Sequence, residues 1–134
     1  MFVRRPGGQS QFSTLLQLQA ADREPLRDLQ AWAAGHLADN LSVEALAGRV
    51  HMSPRNFSRV FRDQTGRTPA RFVERLRVEA ARRRLEQTSA GLDRIARECG
   101  FGSADSMRRT FQRVLRDAPS DYRARFHGAG LDGP

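Results

Sequence analysis

Ser53-Pro-Arg-Asn-Phe-Ser-Arg-Val-Phe61 returns, 50 positions later, as Ser103-Ala-Asp-Ser-Met-Arg-Arg-Thr-Phe111. Ser53 and Ser103, Phe57 and Met107, Arg59 and Arg109, and Phe61 and Phe111 correspond, and the register carries on through Pro69/Pro119 and Phe72/Tyr122. Upstream, Leu46-Ala47 matches Ile95-Ala96 at an offset of 49, so the second copy holds one extra residue before its serine. A repeat of this length is two copies of one supersecondary unit.

Each copy reads as a short helix, a tight turn and a second helix. In the first, Val43, Leu46, Ala47 and Val50 share one face of a helix over 43–50. Ser53-Pro54 is then an N-cap followed by proline at the first helical position, and the second helix runs to about Gln64, before Gly66. In the second copy the helices cover Leu92 to Cys99 and about Ala104 to Leu115, with Gly100-Phe101-Gly102 between them. Ala47 and Ala96 are small where a crossing neighbour requires it, which makes each copy a helix-turn-helix. Gly100 suits a left-handed turn, whereas His51 in the same place suits it less, so the first turn is the weaker match.

Thr68-Pro69 opens the longest helix, to about Thr88, with the apolar stripe Phe72, Val73, Leu76, Ala80, Ala81 and Leu85. About 20 residues make a rod of roughly 30 Å, close to the ~34 Å between successive major grooves on one face of DNA. A further helix starts at Pro25, with Leu26, Leu29, Trp32, Ala33 and Leu37 in phase and a stop at Asp39-Asn40; a short one starts at Pro119 and carries Tyr122 and Phe126. No strand pattern occurs. The expected fold is all-α, with about seven helices forming two helix-turn-helix subdomains joined by a long linker helix. The expected boundaries are a linker or tail over 1–24, the first subdomain over 25–68, the linker helix over 69–88, the second subdomain over 89–126 and a disordered tail over 127–134.

The 134 residues carry a formal charge of +8, and every one of the 23 cations is arginine. Net positive charge bears on partners rather than on fold, and arginine suits both phosphates and guanine edges. No apolar run approaches the ~20 residues of a membrane span, and no signal-peptide core is present. We therefore expect a cytoplasmic chain, associated with the bacterial nucleoid and making no membrane contact. The one cysteine, Cys99, follows Ile95 by four residues on the apolar face and reads as buried. No metal-ligand spacing occurs, and His36, His51 and His127 stand in no nucleophile-base arrangement. No catalytic residue, metal or cofactor is expected, and the chain does not read as an enzyme.

The outward faces of the two second helices carry the functional signal. With Phe57 and Phe61 inward, Arg55, Arg59 and Arg62 fall on one face with Ser58 nearby; with Met107 and Phe111 inward, Arg109, Arg113 and Arg116 repeat that spacing. A solvated helix face accounts for one such row. The same spacing on two repeat-related helices, each with a serine at its N-cap, points to double-stranded DNA. Base contact falls to Arg55, Ser58 and Arg59, and to Asp105, Ser106, Arg108 and Arg109, with Asp105 accepting from cytosine N4. Phosphate contact falls to Ser53, Arg62, Ser103, Arg113 and Arg123. Because Arg55 stands opposite Asp105 and Ser58 opposite Arg108, the two heads should read different half-sites in a directional target of about 20 bp. The competing reading is a basic interaction module that docks an acidic protein such as an RNA polymerase subunit.

Leu46-Ala47, Met52-Ser53-Pro54-Arg55, Phe57, Arg59, Phe61, Gly66, Pro69, Ile95-Ala96, Gly100-Phe101, Ser103, Phe111, Pro119 and Tyr122-Arg123 together resemble the DNA-binding domain of AraC/XylS-type transcription regulators. The resemblance covers about Leu26 to Phe126. It implies two helix-turn-helix subdomains on a long helix that bind adjacent major grooves, often bending the DNA, and activate or repress transcription. Gly7-Gly-Gln-Ser-Gln-Phe12 is similar to the junction in members whose sensor is an amidase-like domain of the glutamine-amidotransferase type. That likeness implies an effector-sensing half outside this chain, and no effector ligand on it. Two departures stand out: Arg116-Asp117-Ala118 where the family usually has glycine, and Met107 where phenylalanine or leucine is common.

Overall fold

In the computed structural model, backbone is described for residues 24–132 and side chains for residues 24–127. The stretch read as a linker, with its Gly7 to Phe12 junction, lies outside the described residues. Among the described residues all regular structure is helical. Seven helices follow one another among the described residues: α1 over 24–34, α2 (Val43–Arg49), α3 (Pro54–Thr65), α4 (Pro69–Gln87), α5 (Leu92–Glu98), α6 (Ala104–Leu115) and α7 (Pro119–Asp132).

The chain divides into two compact units. The first holds α1, α2, α3 and the start of α4 up to Phe72; the second holds α4 from Val73, then α5, α6 and α7, together with the short segment Leu37–Asp39. In the first unit α2 packs on α3, and Leu26, Leu29, Ala33, Leu46, Ala47, Phe57 and Phe61 are each at most 4 % exposed. In the second, α5 packs on α6 and α6 on α7 over Val78, Ala81, Leu85, Ile95, Ala96, Cys99, Met107 and Phe111, all wholly buried.

The repeat is visible in the packing itself. Phe61 meets Phe72 edge-on at 5.2 Å with an interplanar angle of 68°, and their counterparts Phe111 and Tyr122 meet edge-on at 6.0 Å and 68°. Such T-shaped pairs exploit the ring quadrupole in addition to burying area. Met107 occupies the place of Phe57 with no exposure, as its flexible, polarizable side chain allows.

The two turns also share two backbone hydrogen bonds. Met52 N–H donates to the Ala47 carbonyl at 3.0 Å and Phe101 N–H to the Ala96 carbonyl at 2.8 Å. His51 N–H reaches the Gly48 carbonyl, and Gly100 N–H the Arg97 carbonyl, each at 3.2 Å. His51 adopts the left-handed conformation that Gly100 adopts, with φ of 59° against 90°. The first turn is therefore not a weaker match in geometry, because a non-glycine residue can hold this φ at a modest energetic cost. The second helices end alike too, at Gly66 (φ 80°) after α3 and at Arg116 (φ 59°) after α6. At the two left-handed positions the copies share, each thus places glycine at one and a bulkier residue at the other; the second copy adds a third, Gly102 (φ 86°).

Two spans differ from the sequence reading. α1 ends at residue 34, ahead of Gly35, where the Leu26 to Leu37 spacing predicts a longer helix; Leu37 is in the loop and belongs by contact to the second unit. At the other end the backbone stays helical to Asp132, through much of the stretch read as a disordered tail. No proline interrupts α7 before Pro134, and the helix continues through Gly128 and Gly130 although glycine is a poor helix former.

Candidate nucleic-acid interface

α3 begins where the Ser53 hydroxyl accepts from the Asn56 N–H at 3.2 Å, and α6 where the Ser103 hydroxyl accepts from the Ser106 N–H at 3.1 Å. Each cap satisfies one of the amide groups a helix start leaves unpaired, and each leaves a serine O–H available as a donor. Both serines are exposed. With Phe57 and Phe61, or Met107 and Phe111, sealed in the core, the opposite face of each helix turns to solvent.

On α3 that face carries Arg55, Arg59 and Arg62, all exposed, with Ser58 half-buried. Arg55 and Arg62 have no hydrogen-bonding or ionic partner among the described residues. Arg59 donates from Nη2 to the Asn56 Oδ1 at 2.5 Å, and its Nη1 lies 3.8 Å from the Asp63 carboxylate. Its side chain remains 65 % exposed. Sequence reasoning passed over Asn56 and Asp63, although their i−3 and i+4 spacing from Arg59 was legible.

On α6 the exposed residues are Asp105, Arg108 and Arg109, with Ser106 half-buried. Asp105 accepts from both arginines, Oδ1 from Arg108 and Oδ2 from Arg109. The hydrogen bond from Arg108 and the charge of Arg109 hold the Asp105 carboxyl below its ordinary range. The three side chains stay more than half exposed, so the cluster stands in water at the start of the helix.

Two arginines from the phosphate-facing set are engaged elsewhere. Arg113 makes a bidentate pair with Glu74, tying α6 to α4, with Nη1 at 3.2 Å from Oε1 and Nη2 bonded to Oε2. That partner raises the Arg113 pKa further above its usual value. Arg123, half-buried, donates to the carbonyls of Leu85 at 3.3 Å, Thr88 at 3.1 Å and Ala90 at 2.6 Å. The last carbonyls of a helix lack intrahelical partners, and the planar guanidinium fork suits several at once. Arg123 therefore closes the end of α4 rather than presenting its charge outward.

A helix-turn-helix domain model matches residues 46–125, which includes both turns and both capped helices. A solved structure, the DNA-binding domain of the global transcriptional factor AdpA in complex with a target DNA, is similar with a TM-score of 0.75 and 40 % identity. The match covers 78 % of this chain and 94 % of that one. The chain belongs to the AraC-type helix-turn-helix family. An AraC-type DNA-binding domain structure from Chromobacterium violaceum is also similar, with a TM-score of 0.70 and 27 % identity over 80 % of this chain and 96 % of that one.

Curated members of the family are similar at higher or comparable identity. The HTH-type transcriptional regulator Rv1931c of Mycobacterium tuberculosis is 53 % identical over 84 residues, which is 63 % of this chain and 32 % of that protein. The HTH-type transcriptional activator RhaS of Citrobacter koseri is 33 % identical over 111 residues, 83 % of this chain and 40 % of that protein. The matches thus span 32 % and 40 % of these relatives' lengths. None of the described helices is long and apolar enough to cross a membrane.

Proposed function

We propose that this AraC-type domain binds double-stranded DNA in a sequence-specific manner and thereby regulates transcription. α3 and α6 act as the two reading helices, in adjacent major grooves. The observation that carries this reading is the pair Arg59 and Arg109: equivalent in the repeat, exposed, and presented on serine-capped helices whose other faces are anchored by matched aromatic pairs. Arg55, Ser58 and Arg59 on α3, and Ser106, Arg108 and Arg109 on α6, are the base-facing groups. Ser53, Ser103 and Arg62 face phosphates, and the capped helix starts offer amide N–H groups for the same purpose.

The reading is of a binding module rather than an enzyme. Cys99, the one thiol in the sequence, is fully buried, and desolvation pushes its pKa up despite Arg84 Nη1 at 3.3 Å from Sγ. A buried neutral thiol is a poor nucleophile. A DNA partner places the chain at the bacterial nucleoid in the cytoplasm.

Selection from a random duplex pool tests the proposal. The expected product is one directional site of about 20 bp with two unlike halves centred about one helical turn apart. Salt-sensitive binding without any preferred sequence overturns the sequence-specific reading, and favours docking of these basic faces on an acidic protein such as a polymerase subunit.

A further inference from the structure

Asp105 is the single acid among the outward residues at the start of either reading helix, and it lies between two arginines of its own face. At i+3 and i+4, Arg108 and Arg109 come round to the same side of α6 as Asp105, and each takes one of its two carboxylate oxygens. The first copy has no such arrangement. There Arg55 stands at the position of Asp105, Ser58 stands at that of Arg108, and Arg59 donates to the neutral Asn56 amide, with its nearest acid, Asp63, 3.8 Å away toward the other end of the helix.

These contacts change what Asp105 can do. A cytosine amino group approaching it meets oxygens already engaged by charged donors, which bind a carboxylate more strongly than a neutral amine does. Each guanidinium has five N–H groups, so Arg108 and Arg109 retain donors for a guanine edge while bonded to Asp105. Turning either one toward a phosphate means giving up a charge-assisted bond.

We propose that Asp105 is a positioning residue of the second reading helix: it aims Arg108 and Arg109 at base edges and restrains them from indiscriminate phosphate contact. The inference rests on the DNA-binding reading above and adds to it an acid that lowers affinity for non-target duplexes. Selectivity at this half-site therefore depends on a residue that touches the DNA only through its neighbours.

The test compares the chain with its Asp105→Asn variant, on the site recovered by selection and on a random duplex, across a salt series. Asp105 is exposed, so the variant should fold, and a cooperative melt with a midpoint lowered by no more than about a few degrees checks this. The expected result is random-duplex binding tighter by roughly 3- to 10-fold at low salt, with a salt dependence steeper by about one phosphate contact. The preference for target over random should fall by about tenfold. In an Arg108→Ala, Arg109→Ala background the same substitution should change neither quantity. If Asp105→Asn instead alters preference at one base pair and leaves random-duplex affinity unchanged, Asp105 reads a base directly and the proposal is overturned. It is likewise overturned if the effect persists without the two arginines. A parent chain that prefers no duplex removes the DNA-binding reading itself, a failure distinct from the other two.

Discussion

A side chain on Gly100 would collide with the carbonyl of Leu37: a Cβ built there lies 2.0 Å from that oxygen and 2.5 Å from the Arg77 Nε. The same carbonyl accepts from Arg77 Nε at 3.1 Å and Nη2 at 3.0 Å, so the guanidinium cannot swing away without leaving it unpaired. Gly100→Ala should therefore lose at least about 3 kcal/mol, combining backbone strain with a clash against backbone. Gly66 has φ of 80° but open space around it, so Gly66→Ala should cost only about 1 to 2 kcal/mol. Equal losses in urea denaturation would contradict this account.

The converse substitutions should stabilise. His51 and Arg116 hold φ of 59° where the other copy has glycine. Relief of left-handed strain, partly offset by the greater chain entropy of glycine, should gain about 0.5 to 1 kcal/mol at each site. Thermal midpoints of His51→Gly and Arg116→Gly should rise by a few degrees, at about 4 to 8 °C per kcal/mol for a domain near this size.

The paired cores should respond alike. Phe61→Ala and Phe111→Ala each remove a buried ring and its edge-on partner contact, at a cost of about 3 to 5 kcal/mol. Against a typical total of about 5 to 15 kcal/mol, either change should leave a large unfolded fraction, measurable by circular dichroism.

Reading and anchoring arginines should separate in binding assays. Arg59→Ala or Arg109→Ala should lose about 1 to 3 kcal/mol of base discrimination, whereas Arg62→Ala should weaken all duplexes alike. Arg123→Ala should act first on stability, because its donors close the end of α4. An unchanged selected site for Arg59→Ala would remove the first reading helix from the mechanism.

Acid should destabilise the fold in a defined direction. The Arg125 guanidinium holds the Asp117 carboxyl below the usual carboxylate range, and Arg94 does the same for Glu98. A pKa depressed on folding contributes stability above the unfolded value that is lost as pH falls through the folded one. The thermal midpoint should stay level from pH 7 to 5 and decline below about pH 4. Asp117→Asn should flatten part of that decline, modestly, since the arginine partners in both pairs are largely exposed.

The order of helices, the caps at Ser53 and Ser103 and the inward aromatics were all legible, because each rests on residues within one or two turns of one another. The exposed arginine faces of α3 and α6 were legible for the same reason. Glu74 is 39 residues from Arg113, and Leu85 is 38 from Arg123, and no local pattern announces such partners. An arginine's spacing tells which way it leaves its own helix, not what awaits it there. The early end of α1 escaped for a related reason: Leu37 keeps helical phase with Leu29 and Ala33, yet its burial comes from the second unit.

That displaced loop bears on how such regulators can be recombined. The boundary between units falls inside α4, between Phe72 and Val73, and Leu37–Asp39 belongs with the later copy although it precedes the earlier reading helix in the chain. A chimera joined at a convenient loop would inherit half of a helix's partners. To exchange one reading helix for a relative's, the crossover must sit within α4, and the graft must bring, or find in the recipient, a carbonyl where Leu37 offers one to Arg77, with a glycine at position 100 to leave it room.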